Sequence, residues 1–511
     1  EIISTDEIGS NNSILTSSSP QLIIKDATCK WRYSVVLKMV CSNKKIKVGV
    51  QGGLLNKDLV LNEGVGITIQ VPDNDIILAY NYVGTDEAPL NFPVKGLGYE
   101  VTNVACQNAE GSWDNTSWSV NISKLTGSNA TCNITYAKIS PNAPELLQGM
   151  IPVTWNGSNW VKAGTNWYNY QTQMWANAVT VTGTNRNSLM NSAPGTVISM
   201  NDINTMWVWI PKYEYKVEAP FGKGGFSKEY PGEIEVNFKT KYDNSPSAGY
   251  TLHPSFNFGG ENISGLWFGK FELTGTINAP TIKPNSNPLA NQVLSAFFNA
   301  SRAMQNGGNQ YGFSTASGDV HMMKNIDWGA VTYLSQSKYG KYGNPNYAGA
   351  NKEVYINNYW ANDKGFTGCS AGNTSSSAIN TCTYTYEKDL TGTGASTTGT
   401  IYGIYDMSGG LWEYAMGVYN RISASSGFTT FPDPKYYDLY TDQTGIKGDA
   451  TNADGTIGWY SDLSSGFINS NIPWFFKGGY YNRGSTSGLF VIANDPGIMH
   501  SSRTSRYVAK P

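Results

Sequence analysis

Charge is scarce in this chain: only 14% of its 511 residues are Asp, Glu, Lys or Arg, and 36 Lys+Arg against 38 Asp+Glu leave a formal net charge of -2. With no run of like charges, the sequence lacks the footprint of a nucleic-acid or anionic-membrane binder. Histidine is rarer still. His253, His321 and His500 lie far apart, and no HExxH, GxSxG or Walker-type loop occurs, so hydrolase and nucleotide chemistry have no motif to rest on. His253 before Pro254 and His321 before Met322 read as hydrogen-bonded structural residues. No apolar stretch approaches the roughly 18 residues of a membrane helix; the longest is the short run Ile76 to Tyr80. No signal segment precedes Glu1, so any export or anchoring segment is expected to have been removed or to lie on a partner. No CxxC occurs, and no cysteine follows Cys382.

What is abundant is aromatic and small: 13% aromatic residues, 32 Tyr and 55 Gly, with Asn, Ser and Thr filling much of the rest. This palette suits secreted β-rich proteins and binding surfaces, where Tyr gives rigid amphipathic contact area and Gly, Ser and Asn give adaptable hydrogen bonding. Six cysteines fall as local pairs: Cys29 with Cys41, Cys106 with Cys132, and Cys369 with Cys382. Without zinc spacing or a nearby His they favour disulfides and an extracellular setting, although six cysteines allow fifteen pairings.

Length alone predicts two to four domains. Residues 1–20 are aperiodic and rich in Ser, Thr and Asn, the composition of a flexible leader. Residues 21–89 read as a β-module, with strand-like runs at Lys45 to Val50 and Val65 to Val71, and residues 90–140 as a second, with Trp118 to Ile122. Pro141 to Pro144 reads as a hinge. Residues 141–205 are dense in Trp and Tyr and are expected to pack on the domain that follows, residues 206–511. That domain opens on MWVWIPKYEYKV and continues with SGLWFGKFELTG. Helical spacing of apolar residues predicts helices over Asn291 to Gln305 and Asn325 to Ser335, with Asn325 as a cap for the second. Tyr339 to Gly399 reads as a long polar surface loop.

Asn452, Asp454 and Gly455 imitate part of a calcium loop, but Ala450 and Ser461 occupy its first and last ligand positions, which argues against an EF-hand. Trp207, Trp209, Trp267, Trp328, Trp412 and Trp474 could stack on sugars; core packing is the better default.

The ordered landmarks MWVWIPKYEY, HMMKNIDWGAVTYLS, IYGIYDMSGGLWEY, FFKGGYYN and TSRYV resemble the C-type lectin fold of formylglycine-generating enzymes, from about Met206 to Val508. The stretches GYEVTNVAC, WDNTSWSVNISKL and ATCNITYAK resemble small immunoglobulin-like stalk modules. The resemblance implies a multidomain fold class: N-terminal all-β, immunoglobulin-like modules followed by a C-terminal α+β C-type lectin fold. Enzymes of that group use a cysteine pair near the chain end, which this chain lacks, so an oxidase of the formylglycine-generating type is the disfavoured reading. Their structural calcium lies near a GN-WEW segment; here Gly410 stands where Asn is usual. No cofactor is expected beyond such a calcium, for which Glu413 could serve as a ligand or else as a buried hydrogen-bond partner.

Within that group the chain is most similar to the variable proteins of diversity-generating retroelements and related prophage or pilus-tip adhesins, which share the APELL-GMIPV-W and WANAV-V segments of Ala143 to Trp155 and Trp175 to Val181. In such proteins adenine-directed mutagenesis rewrites codons of the last strands. An AAY codon altered in this way never yields Lys, Glu, Gln, Trp or Met, and from Gly478 to Ala509 the chain has none of the first four and a single Met499. The resemblance implies exposed, variable, ligand-binding positions at Tyr480, Tyr481, Asn482, Arg483, Thr486, Val491, Ala493, Asp495, Pro496, Ile498, His500, Ser502, Arg503 and Thr504. Tyr480, Tyr481 and Arg503 are the leading anchors, and Lys477, Gly478, Gly479, Gly488, Phe490 and Arg506 are scaffold. The plainer alternative is that these are ordinary strand and loop residues. The expected function is a non-enzymatic extracellular adhesin or receptor-binding protein at a cell surface, pilus tip or virion. It would engage a protein or glycan receptor and be anchored to a pilus, cell envelope or virion through its N-terminal part; a purely structural pilus or virion component is the remaining alternative.

Overall fold

In the computed structural model of the chain, residues 140–217, 231–446, 448–451, 459–463 and 466–511 are described, and among residues 1–139 the strands. Strands predominate, and the chain divides into two units, Glu1–Ser140 and Pro141–Pro511. In the first, an antiparallel five-stranded sheet runs in the order Ser34–Leu37, Gly66–Gln70, Asp75–Val83, Asn129–Lys138, Tyr99–Gln107. Strands from both stretches read above as separate modules therefore share one sheet. Its register sets Cys106 opposite Cys132. The side chains of both, the whole of Cys29 and Cys41, and the Asn452, Asp454 and Gly455 segment lie outside the described residues. Cys369 and Cys382 are disulfide-bonded.

The second unit is built on two sheets. Its main strands are β1 (Ile151–Trp155), β2 (Trp160–Lys162), β3 (Asn177–Val181), β4 (Ile203–Pro211), β5 (Gly265–Gly269), β6 (Asp319–Met322), β7 (Trp412–Tyr419), β8 (Asp438–Tyr440), β9 (Trp474–Gly478), β10 (Gly488–Asp495), β11 (Arg503–Ser505) and β12 (Tyr507–Lys510). Among the described residues three α-helices of eight residues or more accompany them, α1 (Gly183–Met190), α2 (Leu294–Ala303) and α3 (Asn325–Ser335), with one further short α-helix at Asp389–Thr393. The first sheet has the antiparallel order β2-β1-β3-β4-β5-β12-β6, so the aromatic-rich segment before residue 206 adds three strands to the same sheet as the chain end. The second runs β8-β7-β9-β10, with β11 parallel to β7.

β4 explains why this sheet is central. Its continuous run INTMWVWIP is buried at every position, as expected of a short apolar strand covered on both faces. Trp207, Trp209, Trp267, Trp328 and Trp474 are wholly buried and Trp412 nearly so, all within one contiguous core. The Trp328 indole is paired, its Nε1 donating to the Leu489 carbonyl at 2.7 Å and pinning α3 under β10, whereas the buried Trp209 and Trp459 Nε1 atoms have no hydrogen-bond partner among the described residues.

Two helix expectations need correction. α2 starts at Leu294 and not Asn291, because Asn291 adopts a left-handed φ of 64° and donates its N–H to the His500 carbonyl. Asn325 does not cap α3. It lies inside the helix with Nδ2 on the Tyr440 hydroxyl at 2.6 Å, while Asp327 Oδ2 accepts the Lys324 N–H at 2.9 Å. A carboxylate in the first turn satisfies a free donor and complements the helix dipole, a stronger arrangement than an amide cap.

Candidate functional site

The turn joining β9 to β10 is shaped by its glycines. Gly478 and Gly479 have φ of 84° and 88°, the region glycine favours. A Cβ on Gly479 would lie 2.4 Å from Ser487 Oγ, the hydroxyl that accepts the Tyr480 N–H and donates to the Tyr480 carbonyl. Tyr481 N–H donates to the Gly410 carbonyl, and Arg483 N–H to the Tyr480 carbonyl. Gly410 is itself obligatory. At its φ of 65° a Cβ would come 2.4 Å from Glu272 Oε1, so a larger side chain such as Asn does not fit without displacing that carboxylate.

These contacts hold a half-buried aromatic face. The Tyr481 ring stacks on Trp360 with centroids 4.5 Å apart and planes within 1°, and Tyr480 packs against Tyr481 at 4.1 Å. Trp360 belongs to the stretch Tyr339 to Gly399, expected as a surface loop but buried over 353–358, 367–370 and 392–399, and within it the Cys369–Cys382 bond closes a short loop that follows Trp360. Its N–H donates to the Ile379 carbonyl at 2.7 Å, and neighbouring Asn357 is locked by Asp406 Oδ1 at 2.8 Å. Burial raises the Tyr480 phenol pKa, Tyr481 and Asp363 raise it further, and Arg503 opposes them. An exposed carboxylate and a guanidinium thus both act on this ring.

The fourteen expected positions separate by burial. Asn482, Arg483 and His500 are exposed; Tyr480, Tyr481, Thr486, Pro496, Ile498 and Arg503 are half-buried. Val491, Ala493, Asp495, Ser502 and Thr504 are buried, which corrects their expected exposure. The reasons are specific. Val491 and Ala493 pack in the core from β10, and Thr504 Oγ1 donates to the Leu289 carbonyl. Asp495 Oδ1 accepts from the Tyr414 hydroxyl and the Gly497 and Ile498 N–H groups, and its Oδ2 pairs with Arg503 at 2.7 Å. Ser502 contacts His500 Nδ1 at 2.7 Å and accepts from Arg503 Nη1 at 3.0 Å. Arg503 is therefore largely engaged within the fold, its guanidinium also lying over the Phe476 ring at 5.3 Å. The residues assigned to scaffold, from Lys477 to Gly479 with Gly488, Phe490 and Arg506, are all buried.

Sequence reasoning missed Trp360, Asp363 and the exposed Met499. A lone Trp amid Asn, Gly and Ser was the one available signal, since a polar loop has no folding reason to carry an indole.

Glu413 forms a buried ion pair: its two oxygens accept from Arg506 Nε and Nη2, while Arg506 Nη1 and Nη2 also reach the Gly269 and Tyr405 carbonyls at 2.7 and 2.9 Å. Among the described residues no group of three or more His, Cys, Asp or Glu could hold a metal ion. His253 is buried among Tyr213, Tyr215, Phe256 and Tyr333, and burial lowers its pKa to about 3. Burial also disfavours charge on His321, yet the Asp319 carboxylate bonded to its Nδ1 at 3.2 Å and the Asp327 carboxylate 3.8 Å from its Nε2 outweigh burial and raise its pKa. Among the described residues no helix is long and apolar enough to cross a membrane. Compared with protein-family models and with curated proteins, the chain matches none.

Proposed function

We propose that this chain is an extracellular adhesin or receptor-binding protein. Its C-terminal unit would be a C-type lectin fold of the diversity-generating-retroelement variable type, carried on immunoglobulin-like modules. The observation that carries the reading is the aromatic face of Trp360, Tyr480 and Tyr481, flanked by exposed Asn482 and Arg483 and set on a glycine-shaped turn over a fully packed frame. Rigid aromatic anchors beside a freely exposed Arg are the residue types that dominate binding energy at interfaces. Side chains at the tip of such a turn can change without disturbing backbone pairing or core, which is the property a rewritable surface needs. On this reading the chain is not an enzyme, needs no cofactor, and takes a protein or glycan on a cell surface as its partner.

The test has a genetic and a binding arm. Related isolates should differ at the codons for Tyr480 to Thr486, with changes confined to adenine positions, and the neighbouring DNA should hold a reverse transcriptase and a near-identical template repeat. The labelled full chain, screened on cell-surface protein and glycan arrays, should bind a target that the Tyr481→Ala/Arg483→Ala variant binds at least about tenfold more weakly, a loss of roughly 1.4 kcal/mol. Unchanged binding in that variant, or substitutions scattered over all codon positions, would defeat the proposal.

A further inference from the structure

The second unit has a cleft of about 380 Å³ that shares no residue with the Tyr480 face. That volume lies within the roughly 300 to 1,000 Å³ typical of small-molecule sites. Its floor is aromatic: Trp155, Trp160 and Tyr386 line it, with Trp155 and Trp160 edge to face at 5.5 Å. Its mouth carries Asn159, Asn201, Asn285 and Glu387, exposed side chains with no hydrogen-bond partner among the described residues. Tyr386 is 4% exposed, and its hydroxyl accepts the Trp160 indole N–H at 3.2 Å. Among the described residues no acceptor takes the proton of that phenol, leaving an oriented donor in the wall.

The rim is fixed before any ligand arrives. Asn159 N–H donates to Asn156 Oδ1 at 2.8 Å within the turn from β1 to β2, and Ile198 N–H to the Trp160 carbonyl at 2.9 Å. Asn285 N–H donates to the Thr367 carbonyl at 2.9 Å, and Thr367 Oγ1 returns a bond to the Lys283 carbonyl at 2.7 Å. Three elements distant in sequence therefore present three amides around one aromatic floor. The charged residues of the lining are one Lys283 and one Glu387, so the cleft has no net field to select an anion or a cation.

We infer that this cleft binds a neutral mono- or disaccharide. An apolar face of ring C–H groups packs on the Trp155 indole, while amides, which donate and accept at once, pair with vicinal hydroxyls, and Tyr386 and Glu387 add one donor and one acceptor. A phosphate would need several cations, and a purely apolar ligand would strand the amides without partners.

The full chain is titrated with a panel of neutral methyl glycosides, read by saturation-transfer NMR and tryptophan fluorescence. At least one glycoside is expected to bind with Kd on the order of 1 mM, with the strongest transfer to protons of one ring face. Asn159→Ala/Asn201→Ala removes only exposed amides at positions outside the left-handed region, so its melting temperature should match the parent while affinity falls at least about fivefold, the worth of one lost hydrogen bond. The Tyr481→Ala/Arg483→Ala variant should bind the glycoside as the parent does, which separates this site from the proposed adhesin face. Absence of transfer from every glycoside, unchanged affinity in the amide variant, or tighter binding of inorganic phosphate or a zwitterionic amino acid would overturn the inference.

Discussion

Replacing Arg506 by Met tests the frame on which both surfaces stand. Arg506 is wholly buried, bonds both oxygens of Glu413, and satisfies the Gly269 and Tyr405 carbonyls. It is also the cation that offsets Glu272 and Asp406, whose carboxyl pKa values are raised first by burial, with Glu272 pushed further by Asp406 and Glu413. Removing one partner of a buried pair costs about 3 to 5 kcal/mol, because the remaining charge stays uncompensated. For a unit of about 370 residues the unfolding entropy is roughly 0.8 kcal/mol per degree, so the melting temperature should fall by about 5 °C. The loss must depend on pH with a defined sign. A carboxyl whose folded pKa lies above its unfolded value is more protonated folded than unfolded, so stability falls as pH rises through that window. Without Arg506 the acids of this cluster are pushed further in that direction, and the deficit should be larger at pH 8 than at pH 5. Scanning calorimetry of parent and variant at both pH values measures this, and Arg506→Met/Glu413→Leu should recover much of the loss. A deficit below about 1 kcal/mol, or one that grows on acidification, would refute the assignment of this pair as the charge-compensating centre of the unit.

Other substitutions probe the site and its supports. Tyr481→Ala removes a parallel stack and should cost about 1 kcal/mol while shifting Trp360 emission to the red; the shift should vanish in a Trp360→Phe background. Cys369→Ser/Cys382→Ser opens a short loop and should cost about 3 kcal/mol by chain entropy, seen as a lower melting temperature that reductant no longer changes. Lys477 is buried with no hydrogen-bond partner for its Nζ among the described residues, and burial lowers its pKa to about 8. A lysine more protonated unfolded than folded makes stability rise with pH between about 8 and 10.5, on the order of 1 kcal/mol per unit. Lys477→Met should lack that rise in calorimetry across this range, and an identical slope in both proteins would remove Lys477 from the argument.

The sequence was legible where apolar pattern and burial coincide. The short β-branched and aromatic run of β4 and the helical spacing of Ile326, Trp328, Val331 and Leu334 announce a buried strand and a helix, the first by length and residue type and the second by period. The stretch expected to vary was half legible. Composition cannot tell an exposed Thr486 from a buried Thr504, because in a strand packed on both faces even a polar side chain has a partner inside, here the Leu289 carbonyl. Trp360 illustrates the opposite failure, a site residue placed by chain folding beside Tyr481, more than a hundred positions away.

By itself, then, the order of residues determined local matters: which runs form strands and where glycine must turn the backbone. Tertiary structure decided which side chains of one strand meet water, which polar groups find partners within the protein, and that a rim of amides gathers over Trp155. Those outcomes depend on contacts between residues far apart in the chain, and such contacts are set by packing of the whole core, which no local window of sequence contains.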